Sequence, residues 1–163
     1  MNELTVEVIK TSELVLDPNN ARTHNARNIE VIANSLKSFG QRKPLVVTID
    51  NIVIAGNGTL EAARSLGWEY ITIARVPDTW SHEQVVAYAL ADNRSAELAD
   101  WNADVLAEQL LDISMLYDVQ EFGFNPLSQE TEETLKEFTD FSGDVNTAYQ
   151  CPKCGYEWNG APR

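Results

Sequence analysis

The chain has 163 residues, 44% of them hydrophobic, and a formal net charge of −13, which suits one ordinary domain with a tail. The charge is uneven: residues 1–100 hold 9 Lys and Arg against 13 Asp and Glu, whereas residues 101–163 hold 3 against 12. This balance argues against wholesale non-specific DNA binding, no apolar run reaches membrane-spanning length, and the N-terminus lacks a signal-peptide pattern, so a cytoplasmic location is expected.

Leu4, Val6 and Val8 alternate with polar residues and predict a half-buried strand. Asp17-Pro18-Asn19-Asn20 is turn chemistry. From Asn25 to Phe39 the apolar positions Ile29, Ile32, Ala33, Leu36 and Phe39 keep helical spacing, and Gly40 supplies the stop. Pro44–Ile49 reads as a strand, turned by Asp50-Asn51 into Ile52-Val53-Ile54, so a hairpin delivers Gly56-Asn57-Gly58 to a helix from about Thr59 to Leu66. Tyr70–Val76 is the next strand. Ser81 with Gln84 forms a capping box for a helix running into Ala91-Asp92-Asn93-Arg94. Asn102 is placed to cap a last helix over about Ala103–Met115, with the stripe Val105, Leu106, Gln109, Leu110 and Ile113. The expected organisation is a domain over 1–126, an acidic linker over 127–148 and a tail over 149–163.

Gly56-Asn57-Gly58 at the mouth of a helix presents unpaired backbone N–H groups and the positive end of the helix dipole, which is the chemistry of an anion site. The alternative is a tight strand-to-helix turn and nothing more. Arg22, Arg27, Lys37, Arg42 and Lys43 fall within 22 positions, either as a local basic patch able to meet DNA or as scattered solvated charges. His24 and His82 read as cap or surface residues. Arg64 is expected to pair with Glu61 or to pack its stem. Trp68, Trp80 and Trp101 are expected to close the core.

The element order resembles the N-terminal domain of the ParB/sulfiredoxin-like superfamily. Four segments carry the resemblance: Leu16–Arg22, with its Asn/Pro-rich turn and arginine; Gly40–Val47; the glycine-led Ala55–Ala63; and Ala89-Leu90-Ala91-Asp92-Asn93-Arg94. The last, followed by Glu97-Leu98-Ala99-Asp100-Trp101, is similar to ParB-like domains of phage and mobile elements that accompany DNA methyltransferases. The resemblance implies an α+β fold, a small mixed sheet with packed helices. It also implies a nucleoside triphosphate, CTP or ATP, held with Mg²⁺. Gly56, Asn57, Gly58 and Thr59 would cradle the phosphates, and Arg22 and Arg42 would supply charge. Asp92 and Asn93 would hold Mg²⁺ or orient water, although Asp92-Asn93-Arg94 would equally serve to break one helix and cap the next.

The chain also departs from the pattern. Partition proteins of the superfamily carry paired arginines where this chain has Gly58 and Thr59, and no cysteine sits in the loop, which rules out sulfiredoxin chemistry. The implied function is nucleotide binding with slow hydrolysis in phage or mobile-element DNA processing. Alternatives are a phosphotransferase acting on a small molecule or modified base, a nuclease, and a module that docks a DNA methyltransferase or terminase.

Cys151-Pro152-Lys153-Cys154 has the spacing of a zinc knuckle. Zinc takes four ligands and the chain offers no second cysteine pair. The ion would be shared between two chains in a homodimer, or the site is degenerate, or His24 or His82 completes it.

Overall fold

Asn25 accepts a hydrogen bond from the Asn28 N–H at 2.8 Å and opens helix α1, Ala26–Phe39. Gly40 ends it with φ 67°, its N–H returning to the Leu36 carbonyl at 2.9 Å. The computed structural model describes residues 5–125, 149–150, 153 and 157–158, in two units, Met1–Leu127 and Ser128–Arg163. In the first unit the remaining elements are β1 (Thr5–Lys10), a 3₁₀ turn (Thr11–Glu13), β2 (Val15–Leu16), β3 (Leu45–Val47), β4 (Ile52–Ala55), α2 (Asn57–Ser65), β5 (Tyr70–Arg75), α3 (His82–Glu97), α4 (Ala103–Ser114) and a 3₁₀ turn (Val119–Phe122). The five strands form one mixed sheet in the order β1-β5-β3-β4-β2. This mixed α+β architecture is the expected class.

The hairpin between β3 and β4 turns on Asn51, whose φ of 64° is left-handed, a conformation that asparagine tolerates better than most residues. Arg75 locks the turn, donating to Asn51 Oδ1 at 3.0 Å and to the Thr48 carbonyl at 2.6 Å, and pairs with Glu7 at 2.8 Å. Gln41 acts as an extra rung of the sheet. Its Nε2 donates to the Thr72 carbonyl at 2.8 Å and its Oε1 accepts from the Thr72 N–H at 2.8 Å.

The core lies between the sheet and helices α1 and α2. Leu45, Val47, Val53, Leu60, Ile71 and Ile73 are buried there with Ala33 and Leu36, and Ile9, Ile29, Ile32 and Trp68 pack against them. Strand β1 corrects the sequence reading. It pairs with β5 in the register Ile9↔Ile71 and Glu7↔Ile73, so Thr5, Glu7 and Ile9 share the core face. Val6 and Val8 project from the opposite face, 51% and 66% exposed.

Two further expectations are corrected. Asp92, Asn93 and Arg94 do not break a helix, because α3 continues to Glu97, opened by the reciprocal Ser81–Gln84 capping box. Trp101 is 72% exposed and meets Phe124 edge to face, rather than closing the core. Helix α4 is capped by Asn102 as expected, yet only Leu110 of its apolar stripe is buried. Within the second unit, Tyr149–Gln150 (β6) and Glu157–Trp158 (β7) pair antiparallel. Among the described residues no helix is long and apolar enough to cross a membrane.

Candidate functional site

Strand β4 hands the chain to α2 through Gly56, which sits at φ 97° and ψ 25°. A Cβ at this position would lie 2.6 Å from Leu45 Cδ2, so both conformation and space call for glycine. The first bond of the helix runs from the Leu60 N–H to the Gly56 carbonyl at 3.0 Å, leaving the amides of Asn57, Gly58 and Thr59 without an acceptor inside the helix. The Asn57 side chain faces inward and is buried. It accepts from the Asp17 N–H at 3.0 Å and donates to the Val53 carbonyl at 2.9 Å, fixing the Asp17 turn beside the helix start. Gly58 is held close: a Cβ there would sit 2.8 Å from His24 Nδ1 and 3.0 Å from Ile32 Cδ1.

These amides open into a cavity of about 210 Å³. Asn20, Arg22 and His24 reach it from the segment before α1, Asn28 and Ile32 from α1, and Asn93 from α3. Arg22 is the one charged side chain on this wall. Its Nη1 donates to Asn93 Oδ1 at 3.3 Å and lies 3.7 Å from Glu97 Oε1. Asn93 Nδ2 donates to the Ala89 carbonyl at 2.9 Å, an arrangement that sets Oδ1 toward the arginine. His24 Nδ1 is 2.7 Å from Asn28 Oδ1, which leaves Nε2 as the ring nitrogen for any guest. A helix N-terminus, a guanidinium and hydrogen-bonding side chains have the chemistry that suits an anion with several oxygens.

Of the residues singled out in the sequence, Gly56, Asn57, Gly58, Thr59, Arg22 and Asn93 line this cavity, Asn57 with its side chain committed to the fold. Arg42 lines a second, largely apolar cavity of about 800 Å³, walled by Phe39, Tyr117, Phe122 and Phe124. Ile32 and Thr59 belong to both walls. Asp92 lies on an exposed part of α3 outside the smaller cavity, one residue and therefore about 100° around the helix from Asn93. Its charge is felt by Tyr88, whose hydroxyl is pushed above its ordinary range mainly by burial and secondarily by Asp92.

The five clustered cations divide into paired and unpaired groups. Arg22 and Arg27 are paired with Glu97 and Glu30, and Arg27 also donates to the Gln120 carbonyl. Among the described residues Lys37, Arg42 and Lys43 have no ion pair. Arg64 turns away from Glu61 and donates to the carbonyls of Thr11 and Leu14, both at 2.7 Å. No three His, Cys, Asp or Glu residues gather to hold a metal among the described residues, and Cys151 and Cys154 lie outside them. Sequence reasoning missed His24, Asn20 and Asn28 as cavity residues. Their polar character beside Arg22 was the available signal, but it is equally the signal of a turn and a cap.

No protein-family model and no curated protein matches the chain. Among solved structures it is similar to the C-terminally truncated chromosome-partitioning protein ParB from Caulobacter crescentus complexed with CTP-gamma-S, with TM-score 0.58 and 18% identity over 72% of this chain and 70% of that one. It is also similar to the pNOB8-like ParB N-domain, with TM-score 0.48 and 20% identity over 84% of this chain and 50% of that one. The Caulobacter protein complexed to the centromeric parS site gives TM-score 0.45 and 19% identity over 80% and 77%. The class defined is one of fold: the mixed sheet and four helices are ParB-like.

Proposed function

We propose that this chain is a ParB-like nucleotide-binding protein whose site is the start of α2. The observation that carries the proposal is the adjacency of two cavities of opposite character. The smaller offers three unpaired amides and the Arg22 fork to phosphates, and the larger, sharing Thr59 and Ile32, offers aromatic walls to a base, with Arg42 on its wall. The ParB structure with CTP-gamma-S supports a nucleoside triphosphate as the guest, CTP or ATP. The described protein groups do not make a metal site alone. Mg²⁺ would therefore arrive with the phosphates, with Asn93, the member of the Asp92–Asn93 pair that lines the cavity, as the oxygen donor on α3, and any hydrolysis would be slow and metal-dependent.

Calorimetric titration with CTP, ATP, GTP and UTP, with and without Mg²⁺, tests this. One nucleotide is expected to bind in a metal-dependent way. Arg22→Gln should then weaken it about tenfold to a hundredfold, the loss of a hydrogen bond to a charged group. No heat with any of the four would sink the proposal.

A second reading rests on a separate observation. Helix α3 buries none of its residues, and Leu90, Leu98, Leu111, Met115 and Leu116 stand 52–88% exposed along α3, α4 and the segments that follow them. Such a surface supports a protein partner in a DNA-processing setting, a DNA methyltransferase or terminase, with DNA itself met through the partner or the N-terminal part. Co-purification of a partner without any nucleotide response would favour this docking role over the first.

A further inference from the structure

Resting on the nucleotide reading, we infer that Glu97 is an internal competitor for the phosphate-binding arginine and sets the affinity of the site. Arg22 is the only cation on the cavity wall, and Asn93 and Glu97 are one helical turn apart, on the same face of α3. The same Nη1 that donates to Asn93 Oδ1 at 3.3 Å lies 3.7 Å from Glu97 Oε1. The cavity wall itself holds no carboxylate, so Glu97 is the anion that Arg22 meets while no guest is present. Its other oxygen, Oε2, accepts from Arg94 Nη1 at 3.1 Å, outside the cavity. Glu97 is thus divided between two guanidinium groups, one facing the site and one facing solvent. A phosphate that recruits Arg22 must displace Glu97 and also meets its negative charge nearby. Arg94 weakens that competition by drawing the carboxylate outward. Both members of the Arg22–Glu97 pair are nearly half exposed, so the competition is modest and the pair yields to a multiply charged guest.

The test is a set of calorimetric titrations with CTP, ATP and inorganic tripolyphosphate on the full chain. Glu97→Gln is expected to tighten binding about two- to fivefold, the worth of a partly exposed ion pair. Arg94→Gln should weaken it, because Glu97 is then left to Arg22 alone. In the Arg22→Gln background, Glu97→Gln should give a smaller gain, the relief of direct repulsion alone; an equal gain there would show that Glu97 does not act through Arg22. Glu13→Gln, which removes the same charge from an exposed position that lines neither cavity, should change nothing; an equal gain there would reduce the effect to net charge and overturn the inference. Binding by the wild type that Glu97→Gln leaves unchanged overturns the inference and spares the nucleotide reading. Absence of binding to either protein overturns both.

Discussion

Gly58 is the position where fold and site meet, and its substitution separates two explanations of the glycine. A Cβ on residue 58 would approach His24 Nδ1 to 2.8 Å, His24 Cε1 to 2.9 Å and Ile32 Cδ1 to 3.0 Å. The isoleucine tip can give by a few tenths of an ångström. The imidazole is held by its 2.7 Å contact with Asn28 and must turn out of place. Overpacking of this kind costs about 1–3 kcal/mol, offset by up to about 1 kcal/mol because alanine favours helix more than glycine. Gly58→Ala should therefore destabilise the domain by about 1–2 kcal/mol, a fall of roughly 3–8 °C in Tm. With His24→Ala the ring is gone, and the same substitution should be neutral or slightly stabilising. Urea unfolding of the four proteins, followed by far-ultraviolet circular dichroism, gives the coupling directly, expected at about 1–2 kcal/mol. An equal cost in both backgrounds would refute the reasoning, and the need for glycine would then lie elsewhere than in packing against His24.

Arg64→Met should cost about 1–2 kcal/mol, because it strips donors from the Thr11 and Leu14 carbonyls at the 3₁₀ turn, discounted for the exposure of the arginine, while nucleotide affinity stays unchanged. Unaltered stability would show that the two carbonyls are satisfied without it. Asp92→Asn should lower the Tyr88 pKa part of the way toward the ordinary tyrosine value of 10.0, since burial is the larger cause and Asp92 the smaller; an ultraviolet absorbance titration reads it. A full return to the ordinary value would mean that charge outweighs burial. The folded state favours the neutral phenol, so its contribution to stability is complete below the unfolded pKa and is lost as pH rises toward the folded one.

How far the sequence could be read depended on whether a signal was local. Asn25, Ser81 with Gln84 and Asn102 cap helices through side chains that reach only two or three residues, and Asn51 turns a hairpin by its own φ, so these elements were legible. Strand β1 was legible as a strand but not in its facing. Alternation names two sets of residues, and which set goes inward is decided by the partner. Register with β5 puts Ile9 beside Ile71 and sends the two valines outward, although valine at alternate positions is the stronger apolar pattern. Arg64 misled for a related reason. Glu61 lay one turn away, but carbonyls some fifty positions back in the chain offered a fixed acceptor pair that no sequence window contains.

The candidate site was half legible on the same logic. A glycine turn before a helix declares its free amides from local sequence alone, and Arg22 was drawn in by the Asn/Pro-rich turn before it. The wall opposite is assembled from α1 and α3, which meet the start of α2 only in the folded chain. Asp92 and Asn93 show the cost of reading adjacency as proximity. Neighbours on a helix diverge by about 100°, so a continuous α3 can turn only one of them into the cavity, and the 2.9 Å bond to the Ala89 carbonyl sets the Asn93 amide facing Arg22. The residue that shares the Asn93 face is Glu97, four positions on. The sequence showed it only as part of the Glu97–Trp101 segment, with no role attached, because its pairing with Arg22 across the fold lies outside any motif.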